Sequence, residues 1–253
     1  MLVAVLLCAS PLFAGSAQTN SLVTLTQLAP QLLIPGAVSS PGANGTFFRS
    51  DITIVNFAHS DQRLQLRWLP QKGGTASLTE MTIRARETIR SDDFVKTYLG
   101  SEGLGALLIT AVSVDGSLDP NAKLFATSRV WTPVPGREGT MSQGMDAIPP
   151  STINLGGGAI FGSLRDAQHR VNLAIVNLDS ATQIFVVNVR KHFEVYSFVI
   201  PPFSMDQITL NRSSEPIEYV TVGGKPGSWF AYTSSIDNLT GSAWTEYVTE
   251  VVP

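Results

Sequence analysis

Histidine is the side chain that most readily carries a proton near neutral pH, and this chain has three: His59, His169 and His192. His59 falls in the turn-like "AHSD", His169 opens a strand-like run, and His192 sits in "RKHFE", a hairpin signal. None has the i, i+4 spacing that sets two ligands on one helix face, so they are read as surface or turn histidines. Ser142 lies between glycines in "GTMSQG", but the spacing is not that of the G-x-S-x-G elbow, and a serine needs a placed base before it attacks anything. The run "GGGAIFG", Gly156 to Gly162, is glycine-rich like a phosphate cradle, yet a β-prone segment follows where the cradle requires a helix. It reads as a linker. "DGSLDPN" gathers Asp115, Asp119 and Asn121, oxygen ligands of the kind calcium takes. It lacks EF-hand spacing and a closing bidentate Glu, so a solvated turn is the simpler reading.

Arg63, Arg67, Arg84 and Arg86 alternate within two strand-like runs and are expected on solvated sheet surface rather than on an anionic polymer. Among the tryptophans, Trp68 fits a core pattern, whereas Trp131, Trp229 and Trp244 are open to a sugar-stacking role, Trp244 being the best exposed candidate. Glycoside cleavage needs two carboxylates at a set separation; the chain has 20 acids, and their pairing in space is not legible. The sequons at Asn44, Asn211 and Asn238 suit surface loops. No catalytic, cofactor-binding or metal-binding residue is assigned, and no cofactor is expected.

These residues need a scaffold, and composition points to one. Of 253 residues, 43% are hydrophobic and only 15% charged, with 21 Gly and 15 Pro. That balance suits a buried core with many turns. Residues 18–146 hold 11 basic and 11 acidic side chains, and 147–253 hold 6 and 9. Neither half has the cationic footprint that nucleic acid requires. Residues 1–17 read as a signal peptide, apolar from Leu2 to Ala14 with Ala17 as a cleavage point, although no Lys or Arg precedes the apolar run. A buried first strand, or a lipid anchor on Cys8, is the alternative; bulky Leu7 argues against the anchor. Cys8 is the only cysteine, so the mature chain is expected to lack disulfides and thiolates. No later run is long and apolar enough to span a bilayer.

The phrase "FFRSDITIVNF" at Phe47 returns as "QHRVNLAIVNL" at Gln168, with Arg49 and Arg170, and Asn56 and Asn177, each 121 residues apart. "FATSRV" and "AYTSSI" correspond at an offset of 106. Strand patterns fill the space between: "RLQLRWL" puts Leu64, Leu66 and Trp68 on one face, and "LTEMTIRAR" puts Met81, Ile83 and Ala85 inward. "AWTEYVTEVV" reads as a closing strand. Helical periodicity is confined to "SDDFVKTYLG", with Ser91 as cap and Gly100 as stop. The expected fold is all-β: two tandem antiparallel, immunoglobulin-like β-sandwiches of about seven strands each, arising from internal duplication. They are expected at residues 31–148 and 149–253, after a β-prone extension at 18–30.

"IPGAVSSPGANGTFFRSDITIVN" and "YTSSIDNLTG" resemble the opening and closing motifs of uncharacterised secreted bacterial proteins, in which a Gly-Ala-Asn-Gly-Thr turn leads into Arg-Ser/Thr-Asp and an alternating strand. The resemblance covers most of residues 32–253 and implies export and tandem β-sandwiches, with no established activity or site residue. The second copy departs from the turn motif. Together these readings lead to a secreted, non-catalytic protein of the cell surface, medium or periplasm that binds or adheres to protein or carbohydrate. The alternative is a self-assembling surface-layer or filament subunit that adds residues 18–30 to a neighbour's sheet edge. A secreted hydrolase ranks third.

Overall fold

A computed structural model describes residues 28–74, 76–136, 138–153, 156–190, 194–211, 217–226 and 229–250. The expected leader with Cys8, residues 18–27 of the extension, and His192 lie outside the described residues. The chain is nearly all strand. The first half contributes β1 (Gln31–Pro41), β2 (Phe47–Asn56), β3 (Gln62–Pro70), β4 (Leu78–Ile83), β5 (Thr88–Ser91), the short helix α1 (Phe94–Leu99), β6 (Gly103–Val112), β7 (Leu124–Pro133) and β8 (Thr140–Asp146). The second contributes β9 (Gly157–Phe161), β10 (His169–Asn177), β11 (Gln183–Val189), β12 (Glu194–Ile200), β13 (Ser204–Thr209), β14 (Tyr219–Gly223), β15 (Trp229–Asp237), β16 (Ala243–Tyr247) and β17 (Thr249–Glu250).

Two-residue alternation decides most of these strands. Leu64, Leu66 and Trp68 of β3 are buried, while Arg63 between them is exposed. In β4, Ile83 is buried and Met81 packs on the same core. The strand stops there, however, and Ala85 and Arg86 fall in a turn in which Arg86 adopts φ 60°. Helix α1 begins one residue after its cap, Asp93, whose side chain accepts from Lys96 N, and it ends at Gly100 with φ 58°. Ser91, expected as the cap, is the last residue of β5; Asp93 takes the role because β2–β5 pairing holds the chain extended up to Ser91. "AWTEYVTEVV" is broken at buried Val248, so that β16 pairs with β15 and β17 crosses to β9. The expected glycine linker is itself strand: Gly157 and Gly158 pair in β9, and a Cβ on Gly158 would meet Val248 at 2.4 Å.

The first half is one eight-stranded sheet, β4-β3-β6-β1-β2-β7-β8 with β5 on β2. It folds back at β1, whose last residues pair with β2 while the rest pair with β6. The resulting layers, β4-β3-β6-β1 and β5-β2-β7-β8, enclose a core of Ile34, Ile52, Leu66, Trp68, Phe94 and Ile109, among others. The second half repeats the order as two sheets, β12-β11-β14-β9-β17 and β13-β10-β15-β16. The layering is that of an immunoglobulin-type sandwich. Strand membership differs, because β1 occupies the place beside β6 and sends β7 to the other sheet beside β2.

The repeated Asn closes the same device in both halves. Asn56 and Asn177 are fully buried. Asn56 Nδ2 donates to the carbonyls of Ser60 and Arg84 at 2.8 and 2.9 Å, and its Oδ1 accepts from Ala58 N at 2.9 Å. Asn177 Nδ2 donates to Ala181, Ile200 and Pro201 at 2.9, 3.0 and 2.9 Å, and its Oδ1 accepts from Asp179 N at 2.9 Å. One amide thus ties the turn after its own strand to the end of the strand two places on, satisfying backbone groups that no ladder reaches.

The halves are joined through an apolar junction. Leu33, Leu69 and Ala106, on the outer side of β4-β3-β6-β1, belong to the same buried cluster as Ala174, Val176 and Met205 of the second half. Gln71 adds polar ties, with Nε2 to Asp206 Oδ1 at 3.2 Å and to Gln207 O at 3.3 Å. Strand β10 is therefore covered on both faces over Leu173–Asn177. Its counterpart β2 keeps Arg49, Thr53 and Val55 half-buried on an outward face. Where β2 has Thr53, β10 has Ala174, and the exchange matches the cover.

Candidate functional site

The structure spreads the expected chemical residues rather than gathering them. His59 is exposed in the β2–β3 turn beside Arg86. His169 starts β10, with Nδ1 2.8 Å from Asp166 Oδ1 and its ring edge-on to Trp244. That hydrogen bond is the main cause of the lowered Asp166 pKa. Asp115 turns its carboxylate onto Ser117 N and Oγ, and Asp119 onto Asn121 N. These carboxylates brace their own loop; the Ser117 contacts hold Asp115 below the usual carboxylate range. Among the described residues no three His, Cys, Asp or Glu side chains approach as a metal set would. Arg63 pairs with Glu80 at 2.7 Å, Arg67 lies over the Phe203 ring at 4.6 Å, and Arg84 and Arg86 sit in the β4–β5 turn. They do not form one basic face.

Trp68 and Trp229 are core residues. Trp131 and Trp244 are half-buried in different halves and form no strip. Trp131 Nε1 donates to the Asp92 carbonyl at 3.2 Å, with Arg49 and Arg129 over its ring at 5.5 and 5.8 Å. The Arg-Ser-Asp of the turn motif is likewise structural. Ser50 Oγ accepts from Val38 N at 2.7 Å, and Asp51, 7% exposed, receives Arg90 Nε at 2.9 Å.

Two surfaces emerge that residue types alone did not reveal. The first is the outer face of β12-β11-β14-β9. Ile184, Val186, Val195, Val199 and Phe161 are 64, 47, 63, 67 and 53% exposed. Ile184 pairs directly with Val199, and Phe161 with Tyr219, so the residues adjoin across strands. Contiguous exposed aliphatic surface of this kind marks contact sites.

The second is a crevice of about 390 Å³ where the halves meet. Its floor is the outer face of β10 and β15, where Arg170 stands opposite Ile236, Asn172 opposite Ser234, and Ala174 opposite Tyr232. Its roof comes from the first half and includes Val38, Phe48, Leu104, Val130 and Met141. Ser142 is among its lining residues, and among the described residues no histidine or carboxylate lines it. Ser234 Oγ donates to Gln143 Oε1 at 2.8 Å, and Gln143 Nε2 to Thr245 Oγ1 at 2.6 Å, bonds that tie β8 to the floor. Mostly apolar walls with a few convergent polar groups, at a junction between folded units, are the usual form of a small-molecule site. No protein-family model and no curated protein matches this chain.

Two phenols at the junction titrate late. Burial pushes Tyr247 up to about 12 and raises Tyr232 as well. The folded state holds these protons more tightly than the unfolded chain, whose phenols ionise near ~10. Their contribution is complete below that pH and is lost as pH rises toward the folded value. In a phenolate absorbance titration, both are expected to stay protonated past roughly pH 11 and to ionise together with loss of near-UV circular dichroism.

Proposed function

We propose that this chain is an exported, non-catalytic binding protein of the cell surface, and that the outer face of β12-β11-β14-β9 is its adhesive surface. The observation that carries the reading is the row Ile184, Val186 and Val199, left exposed on the outermost layer, whereas the outer side of β4-β3-β6-β1 and the outer side of β10 cover one another. β-Branched aliphatic side chains offer no hydrogen bonds to sugar hydroxyls, so the partner is a protein rather than a carbohydrate. Export is supported by the apolar leader and by the resemblance to secreted bacterial proteins. The common strand order and the matched Asn56 and Asn177 cages support an origin of the two halves by duplication. A non-catalytic role is supported by the separation of His59 from His169 and by the structural duties of Asp51, Asp115 and Asp119.

A second reading, a self-assembling subunit, is favoured by one observation. The exposed sheet occupies the place in the second half that β4-β3-β6-β1 occupies in the first, and the first half packs onto the second through that sheet. A further copy could continue the stack as a head-to-tail contact. In the extension expected to add to a neighbour's sheet edge, Ala29 pairs with Leu124 of its own chain, and residues 18–27 lie outside the described residues.

The test is cell fractionation of bacteria producing the protein, with Ile184→Lys/Val199→Lys as the variant. Surface adhesion predicts cell-bound protein and release of the folded variant into the medium. Equal retention of both overturns the proposal. Sedimentation of the purified protein separates the readings, since only the second predicts growth of oligomers with concentration.

A further inference from the structure

A sheet edge presents backbone donors and acceptors, and a second chain pairs with them unless the edge is covered, short or charged. Most edges in this fold are managed in one of these ways. The β8 and β16 edges meet one another, with Thr245 Oγ1 donating to Gly144 O at 3.3 Å and Asp146 N to the Tyr247 hydroxyl at 2.9 Å. The first half covers β13, where Met205 O accepts from Lys72 N at 2.8 Å. Strands β5 and β17 are four and two residues long. Strand β4 carries Glu80, exposed and paired with Arg63. Strand β12 has none of these devices. It runs for seven residues, Glu194–Ile200, in unbroken register with β11. Among the described residues no segment besides β11 hydrogen-bonds to the backbone of Val195–Val199. After Glu194 the strand carries no charge, and Pro201 lies beyond its end.

We propose that β12 pairs with the β12 of a second copy, antiparallel about a two-fold axis at Ser197. The register follows from which side chains share a face. Val195, Ser197 and Val199 are exposed on the outer side, while Tyr196 and Phe198 pack on the core. Outward residues stay opposite outward ones only if the axis passes through a residue. An axis at Tyr196 would set the Glu194 carboxylate against the partner's Phe198. An axis at Phe198 would set Val195 against the partner's Pro201. At Ser197, Val195 meets the partner's Val199 twice over, Tyr196 stands opposite the partner's Phe198, and the two serines meet at the axis, where their hydroxyls can bond. No like charges are opposed there, whereas the same pairing of β4 would bring Glu80 beside the partner's Glu80. Because Ile184 pairs with Val199 and Asn188 with Val195, the outer aliphatic row continues across the axis into the second copy. A two-fold contact closes at two copies, unlike a head-to-tail stack. Its edge is small beside the roughly 20–30 residues a side of a standard interface, so a weak dimer with Kd on the order of 10 µM is expected. The pairing goes beyond the adhesive reading, since a monomer can adhere by the same face and a dimer can form without adhering.

The experiment is sedimentation velocity of the purified full chain under reducing conditions, in a concentration series through the micromolar range. The unaltered protein is expected to pass from monomer to dimer and to stop there. Ser197 is exposed, so its substitution leaves the core intact. Ser197→Lys and Ser197→Glu each oppose like charges at the axis and should weaken self-association about tenfold or more. Mixed in equal amounts, they set Lys against Glu and should dimerise as the unaltered protein does. Ser197→Ala, which adds no charge, should dimerise on its own. Monomer at every concentration, growth beyond two copies, dimers indifferent to either charge, or a mixture no more associated than its components would each overturn the proposal. Adhesion is read separately by the cell fractionation, so either reading can fail without the other.

Discussion

Replacing Asn177 with alanine lowers stability by about 3 kcal/mol. Its fully buried amide feeds the carbonyls of Ala181, Ile200 and Pro201 and accepts from Asp179 N, the bond to Ile200 lying wholly in the interior and the other three part-buried. Each buried partner left unpaired costs ~1–3 kcal/mol, partly relieved by relaxation. The denaturant midpoint should fall with the m-value unchanged, because the surface exposed on unfolding is the same. Asn177→Asp is expected to be no better near neutral pH, since a carboxylate only accepts and would face three carbonyls. Asn56→Ala should repeat the loss in the first half. A midpoint equal to that of the unaltered protein would remove the cage from the account.

Glu194→Ala should cost still more, about 3–5 kcal/mol. Its partner Arg165 is 1% exposed, and Arg165 Nη1 donates to Glu194 Oε1 and Oε2 at 2.9 and 3.2 Å and to Asn211 O at 2.9 Å. Tyr196 also donates its hydroxyl to Glu194 at 2.6 Å. Removing the carboxylate strands a guanidinium whose Nε and Nη2 have no partner among the described residues. A buried pair contributes little over an apolar replacement, whereas half a pair is expensive. Arg165→Met/Glu194→Leu should therefore recover most of the loss in a melting series. A double variant as unstable as Glu194→Ala would show that the penalty is not uncompensated charge.

Alternation and repetition made much of the fold legible. Leu64, Leu66 and Trp68 declare their face, the Ile-Val-Asn phrase marks the same strand in both halves, and Gly100 stops α1 where a left-handed residue is needed. What stayed hidden depends on contacts between distant segments. Ala174 and Val176 show that one side of β10 is apolar, but that the first half covers it follows only from packing. "IFVVNV" is apolar on both periods, a pattern that usually means a strand covered on both sides; β11 instead keeps Ile184 and Val186 outside. The crevice joins Gly36 to Tyr232 across most of the chain, and no local pattern predicts that approach.

The account rests on the two sandwiches packing into one body, with the outer side of β10 shut inside and the outer side of β12 left free. Single cysteines introduced at Val176 and Val199 in a Cys8→Ser chain test this through the rate of thiol labelling under native conditions. The packed arrangement predicts that Val199→Cys labels at once, at the rate of an open thiol, while Val176→Cys labels only as fast as the protein unfolds. Immediate labelling of Val176→Cys in a chain with native circular dichroism would mean that the halves stand apart, and would contradict it.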